Sequence, residues 1–168
     1  MSKPTHWDKV YAEKAPDAVS WYAPHLDKSL KLIEDAAASP DAAIIDVGGG
    51  ESTLIDDLLA RGYRDLSMLD ISQKAVDACC NRLGDAASEI TWLVADITQA
   101  ALPVQRYDIW HDRAVFHFLT EAWQREAYVR QVIRAMKPGG TVIVATFGPE
   151  GPLSCSGLET VRYDSDGL

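Results

Sequence analysis

Residues 42–53 read AAIIDVGGGEST, and the fold follows from that stretch. The apolar run through Val47 is nearly continuous rather than alternating, as in a strand covered on both faces. Three glycines, Gly48 to Gly50, follow it, and Ser52 stands where a hydroxyl caps the helix of TLIDDLLARG (53–62). A strand, a glycine turn and a helix open a βαβ unit, and the same alternation repeats downstream. Further strands are expected at LSMLD (66–70), ITWLVAD (90–96), YDIWHD (107–112) and TVIVATF (141–147). Between them lie the helical QKAVDACCNRL (73–83), the loop QAALPVQR (99–106) and the helical EAWQREAYVRQVIRAM (121–136). In that last helix Ala122, Tyr128, Val132, Ile133 and Met136 mark an apolar stripe. The pattern predicts an α/β fold: a five-stranded, doubly wound, mostly parallel sheet.

Outward from the sheet, Leu26, Leu30, Ile33 and Ala37 give one more helical face, ended by Ser39-Pro40. The segment 1–22, with Trp7, Tyr11, Trp21 and Tyr22, is expected to form an aromatic-rich cap on a core of 23–148. Residues 149–168 form a Gly, Pro and Ser-rich tail without a convincing strand pair. At 168 residues the reading is one domain, long enough to bury roughly 70% of its unfolded surface. Acidic residues outnumber basic ones 25 to 16, a surface that repels phosphate backbones, so nucleic acid is not an expected partner. The longest strongly apolar run, 141–147, is too short to span a bilayer, and MSKPTHWDKV lacks the apolar centre of a secretory signal. Cys79, Cys80 and Cys155 are too few and too badly spaced for a disulfide framework or a zinc site. A cytoplasmic protein without a membrane partner or a metal is the expectation.

In an open α/β sheet, ligands bind beyond the carboxyl ends of the strands. The first strand ends in Asp46 and the glycine run, which lets a ligand approach the backbone, although such a run also serves packing. Asp70 ends the second strand 20 residues beyond Gly50, where an ionised carboxylate accepts hydrogen bonds from both hydroxyls of a ribose. It can instead cap the following helix, though Ser72 suits that role better. Nicotinamide dinucleotide sites place an acid at the same separation, so this pair alone leaves the cofactor open. Asp96 follows the third strand, where a carboxylate can receive an exocyclic amine of adenine between the apolar faces of Ile71 and Ile97. The turn carries Thr53 at the position of the third glycine of a GxGxxG loop, and Glu51 would set negative charge beside a pyrophosphate. Adenosine without phosphate fits better, and S-adenosylmethionine is such a ligand.

IIDVGGGES (44–52), MLDIS (68–72), VADIT (94–98), YDIWHDRA (107–114) and MKPGGTVIVATF (136–147) resemble the successive motifs of the class I S-adenosylmethionine-dependent methyltransferases. The N-terminal HWDKVYAEK (6–14) and VSWY (19–22) resemble the subgroup that includes the lysine methyltransferases of citrate synthase and elongation factor 1A. That subgroup carries Asp-Lys-Gly after the fourth strand, where this sequence has Asp112-Arg113-Ala114. The resemblance implies a Rossmann-like class I methyltransferase fold with an N-terminal helical cap. It implies that Gly48, Gly50 and the adjoining backbone hold the methionine portion of the cofactor, with Asp46 and Glu51 beside them. Asp70 would hold the ribose, Asp96, Ile71 and Ile97 the adenine, and Trp21-Tyr22 would close over the cofactor. His111 and Asp112 would lie at the mouth of the methyl-transfer pocket as tentative catalytic residues. The resemblance also implies an antiparallel hairpin after the fifth strand, with a helix before it, for which the 21 residues after Phe147 are too few; the expectation is that the given sequence stops short of those strands, or that they are disordered or deleted.

Methyl transfer asks chiefly for in-line positioning, because the sulfonium is already activated and leaves behind S-adenosylhomocysteine. A base is needed only when the nucleophile starts protonated, and His111, Asp112 and His117 are the candidates. His117, in AVFHFL, is equally well read as a core histidine. The expected activity is methyl transfer to a small molecule or a protein side chain. An NAD(H)-dependent oxidoreductase and a non-catalytic S-adenosylmethionine-binding protein are the alternatives.

Overall fold

The computed structural model describes residues 3–168, so the first two residues of the expected cap lie outside the described residues. In chain order the elements are α1 (Lys3–Glu13), α2 (Asp27–Ala36), β1 (Ile44–Val47), α3 (Leu54–Ala60), β2 (Leu66–Asp70) and α4 (Gln73–Leu83). There follow β3 (Thr91–Val94), β4 (Tyr107–Arg113), α5 (Ala122–Ala135), β5 (Met136–Ala145), β6 (Ser154–Cys155) and β7 (Leu158–Glu159). Strands β1 to β5 form one sheet in the order β3-β2-β1-β4-β5, all parallel. The chain starts at the centre, winds outward through β2 and β3, then returns past β1 to β4 and β5. That reversal of direction opens a crevice beyond the carboxyl ends of β1 and β4.

Because successive strand residues face opposite ways, each central strand feeds two cores. Ile44, Leu66, Met68 and Ile109 pack with Leu30 and Ile33 of α2, Leu54 and Leu58 of α3, and Val76 of α4. Their neighbours Ile45, Leu69 and Trp110 pack on the other face with Tyr128 of α5 and with Ile97 and Leu102. Full burial of such a side chain contributes on the order of 2 kcal/mol, so the two layers hold the crest of the sheet rigid. The same alternation separates two functional candidates. His111 faces the α2 layer, and Asp112 faces α5.

Three expectations need correction. The stripe on α5 is narrower than its spacing suggested: Ala127, Tyr128 and Ala135 are buried, whereas Ile133 is 73% exposed. The face that meets the sheet is therefore centred on Tyr128, with Val132 packed beside it. The N-cap of α3 is Thr53 rather than Ser52; the Thr53 side chain makes no cap bond and its hydroxyl donates to the Pro24 carbonyl at 2.7 Å, while the Ser52 hydroxyl accepts from the Leu54 N–H at a long 3.5 Å. The tail does contain a strand pair, β6 with β7, antiparallel and separate from the main sheet. Its two-residue turn, Ser156-Gly157, has φ of +50° and +77°, the left-handed pair that a tight hairpin demands.

Candidate active site

The glycine turn is shaped by its own protein as much as by space for a ligand. Gly48 and Gly50 have φ of +69° and +57°, where a Cβ is strained. A Cβ on Gly48 would also strike the side chain of Val115, and one on Gly50 would stand 2.6 Å from the Tyr11 hydroxyl. Beneath the turn, the Cys79 thiol donates to the Gly50 carbonyl at 3.2 Å, and burial pushes that thiol up to about 12. At its far end Arg82 donates to the carbonyls of Glu51 (3.1 Å) and Ser52 (2.7 Å) while paired with Asp56. Burial raises the Glu51 carboxyl, and the Arg82 charge works against that rise.

Asp70 closes β2 directly beside this turn. One carboxylate oxygen accepts from the Gly50 N–H at 2.9 Å and the other from the Ser72 N–H at 2.8 Å. Each oxygen has a second lone pair, so the group is held in one orientation while keeping acceptor capacity. Burial pushes its carboxyl up to about 6, against the pull of the Ser72 and Gly50 N–H groups. Ser72 caps α4 by accepting from the Ala75 N–H. On β3 the strand stops at Val94, so Asp96 lies in the turn beyond it, and one oxygen accepts from both the N–H and the hydroxyl of Thr98. Ile97 is buried, and Ile71 is partly exposed beside it.

The end of β4 departs from expectation. Asp112 was expected at the pocket mouth, but it is fully buried on the α5 face. There it accepts from the Tyr128 hydroxyl at 2.7 Å and the Val115 N–H at 2.8 Å, and Trp110 donates to Tyr128 in turn. Burial pushes its carboxyl up to about 6. Its work is to fix the turn 113–115, where Ala114 adopts φ +78°. His111 sits at the cavity wall yet is only 1% exposed, because parallel register sets it beside Asp46. Its Nδ1 meets Asp46 at 2.7 Å and its Nε2 meets the Ser29 hydroxyl at 2.9 Å, so both ring nitrogens are occupied. His111 braces Asp46 beneath the glycine turn and presents no unused nitrogen.

The N-terminal segment covers the crevice. Asp8 of α1 accepts from the Ser72 hydroxyl at 2.6 Å and the Lys74 N–H at 3.3 Å, pinning α1 to the start of α4. Tyr11 lies against Gly50, where burial, together with the field of Asp70 and Glu51, holds its hydroxyl protonated. Trp7 packs edge-on against Trp21 and Phe118, with ring centroids 6.0 and 5.3 Å apart. Arg113 donates to the Trp21 carbonyl at 3.0 Å, and Tyr22 stays 46% exposed. From the other side, Val161 and Tyr163 of the tail donate backbone N–H groups to the carbonyls of His117 and Phe147.

Together these elements enclose a cavity of about 390 Å³, the size of a small-molecule site. Trp21, Tyr22, Asp46, Gly48, Gly50, Glu51, Asp70, Ile71, Asp96, Ile97 and His111 all line it, and Asp112 does not. Sequence reading missed Arg82, Asp8 and Ser29, which act on the site through other residues. A polar residue on a helix facing a strand end was the only signal for them. Among the described residues no group of three or more His, Cys, Asp or Glu could hold a metal ion, and no helix is long and apolar enough to cross a membrane.

Residues 44–140 match the family model described as a methyltransferase domain. Among curated proteins, the eEF1A lysine and N-terminal methyltransferase of Mus musculus is 26% identical over 139 residues, covering 82% of this chain and 19% of its own length. The chain therefore spans about a fifth of that relative. A structure solved in the study of the conversion of a disulfide bond into a thioacetal group during echinomycin biosynthesis aligns with a TM-score of 0.77 at 21% identity, covering 99% of this chain and 76% of that one. The phosphoethanolamine N-methyltransferase 1 of Haemonchus contortus, solved with phosphoethanolamine and S-adenosylhomocysteine, aligns at 0.72 and 12% identity, covering 96% and 35%. These structures share the fold with this chain.

Proposed function

The chain belongs to the methyltransferase-domain family, and on that premise we propose that it transfers a methyl group from S-adenosylmethionine to a small-molecule or protein side-chain acceptor. The charge around the cavity carries this reading. Four carboxylates, Asp46, Glu51, Asp70 and Asp96, line it against the single guanidinium of Arg113. Such a site repels a dinucleotide pyrophosphate and favours a phosphate-free adenosine bearing a cationic centre. It counts against the NAD(H) alternative.

The residues present fit that cofactor. Asp70 would take the ribose hydroxyls with its remaining lone pairs. Asp96, through the oxygen that Thr98 leaves unused, would take the adenine amine between Ile71 and Ile97. The turn at Gly48 and Gly50 would cradle the methionine portion above Asp46, which His111 and Ser29 hold in place. Bound there, S-adenosylmethionine supplies an electrophilic methyl whose departing thioether needs no proton. Trp21 and Tyr22, with α1, would exclude water and hold the acceptor in line.

Calorimetry with S-adenosylmethionine, S-adenosylhomocysteine and NADH tests the reading. Binding of the first two is expected, and a response to NADH alone would overturn it. Labelled-methyl turnover over metabolite and protein pools then separates an enzyme from a protein that only binds the cofactor.

A further inference from the structure

Arg113 closes β4, half-buried, and carries the one guanidinium in the cavity wall. Its Nη2 donates to the Trp21 carbonyl at 3.0 Å, and no carboxylate pairs with it among the described residues. A guanidinium has five N–H donors in a planar fork, so most of them are unspent. Elsewhere in this acidic chain Arg61, Arg82 and Arg106 are each matched to a carboxylate. The carboxylates of the cavity belong to its other end, and three are committed there: Asp46 to His111, Asp70 to Gly50 and Ser72, and Asp96 to Thr98. At the Arg113 end the wall is aromatic, with Trp7 edge-on to Trp21 and Phe118, and Phe147 stacked on His117.

Among the described residues, this end offers no group that could take a proton. Both ring nitrogens of His111 are occupied by Asp46 and Ser29. Those of His117 are buried without a partner and closed off from the cavity. Asp112 lies behind the wall, tied to Tyr128 and Val115. Burial raises the Cys155 thiol and the Tyr11 hydroxyl, so both keep their protons at neutral pH. An acceptor that starts protonated, as a lysine ammonium does, would find no base here, and the Arg113 charge beside it would repel it. A nucleophile that is already an anion at neutral pH needs no base and suits that charge.

Resting on the methyl-transfer reading above, we propose that the acceptor is a small carboxylic acid with an aromatic or apolar body, and that Arg113 binds its carboxylate for methylation to the ester. Arg113 holds one carboxylate oxygen, and a lone pair on the other forms the bond to the methyl carbon as the methyl–sulfur bond breaks. The sulfur keeps the electron pair of that bond and becomes a neutral thioether. The carboxylate loses its negative charge, the sulfonium loses its positive charge, and no proton moves. Loss of two opposite charges is favoured where water is kept away, as beside Trp7, Trp21 and Phe118.

The test uses the full chain saturated with S-adenosylhomocysteine, titrated in a calorimeter with phenylacetate, phenylacetamide and phenethylamine, which share a ring and differ in charge. Phenylacetate should bind at least about tenfold more tightly than either of the others. Equal binding, tighter binding of phenethylamine, or no binding of phenylacetate would overturn the proposal. Arg113→Gln should erase the preference and Arg113→Lys keep part of it, while affinity for S-adenosylhomocysteine stays within about threefold. If Arg113→Gln instead weakens S-adenosylhomocysteine by about tenfold or more and spares methylthioadenosine, which lacks the amino-acid portion, the guanidinium serves the cofactor's own carboxylate and the proposal falls. Labelled-methyl transfer to phenylacetate by the unaltered chain should give an ester whose label alkali releases as methanol. Label that resists alkali, or no transfer, would also overturn it. The comparison of the three probes needs no variant, so it decides the matter even where Arg113→Gln fails to fold. Failure of the unaltered chain to bind S-adenosylhomocysteine would instead sink the underlying methyl-transfer reading.

Discussion

The two ends of the cavity are built by different means. At the β1–β2 end, the turn 48–52, Asp70 and Ser72 come from two consecutive βα units and satisfy one another through backbone N–H groups. At the β4 end, the wall is assembled from α1, the turn 113–119 and the tail, segments far apart in sequence. Behind that wall Asp112 is tied to Tyr128 and Val115, while the ring of His117, in the wall itself, has no hydrogen-bond partner. A saturated site is shaped before its ligand arrives, whereas the unspent donors of Arg113 await one. This difference suits a first end that holds one invariant cofactor and a second that handles a reacting group.

The hardest test of the first end is Gly48→Val. A branched side chain there meets Val115 and a left-handed φ at once, so stability should fall by about 3 kcal/mol or more in thermal melts. Val115→Ala should restore part of the loss. If the melt is unchanged and only cofactor binding disappears, the turn serves the ligand alone and the comparison breaks.

Next comes Asp70→Ala, expected to weaken S-adenosylmethionine by about 1.5–3 kcal/mol in calorimetry, with Asp70→Asn milder. The same carboxylate sets a pH dependence. Hydrogen-bond donors prefer its ionised form, so with a carboxyl near 6 affinity should be full above pH 7. It should weaken about tenfold by pH 5. Stability runs the opposite way for this group. The folded carboxyl binds its proton more tightly than the unfolded one, so Asp70 and Asp112 become less destabilising as pH falls through 6. His117 opposes them, since its lowered value makes stability fall as pH drops from 6.5 toward 4.

A smaller effect is expected at the strap between the two ends. Asp8→Ala removes the acceptor that α1 offers to Ser72 and Lys74. The cost should be about 1 kcal/mol in melts, with faster proteolysis of the segment before Asp27. Unchanged proteolysis would mean that the aromatic contacts of Trp7 and Tyr11 hold α1 without Asp8. Smallest is Ala114→Gly, which relieves a φ of +78°. It should raise stability by roughly 0.5 kcal/mol, the steric relief being partly offset by a looser unfolded chain.

The sequence by itself determined the sheet, its parallel character, α4 to the residue, the glycine turn and Asp70, because each is written in contiguous residues. Continuous apolar runs specify covered strands, and a strand, a turn and a helix carry their geometry locally. The β6–β7 hairpin was also legible in principle through Ser156-Gly157. Only the tertiary structure decided which face each β4 residue took and what met it there. His111 and Asp112 are neighbours in sequence, yet one braces Asp46 and the other anchors Tyr128. Strand alternation sends adjacent side chains to opposite layers, and their partners lie 65 and 16 residues away. The vacancy at His117 is likewise a property of packing, since an unpartnered atom is defined by everything around it.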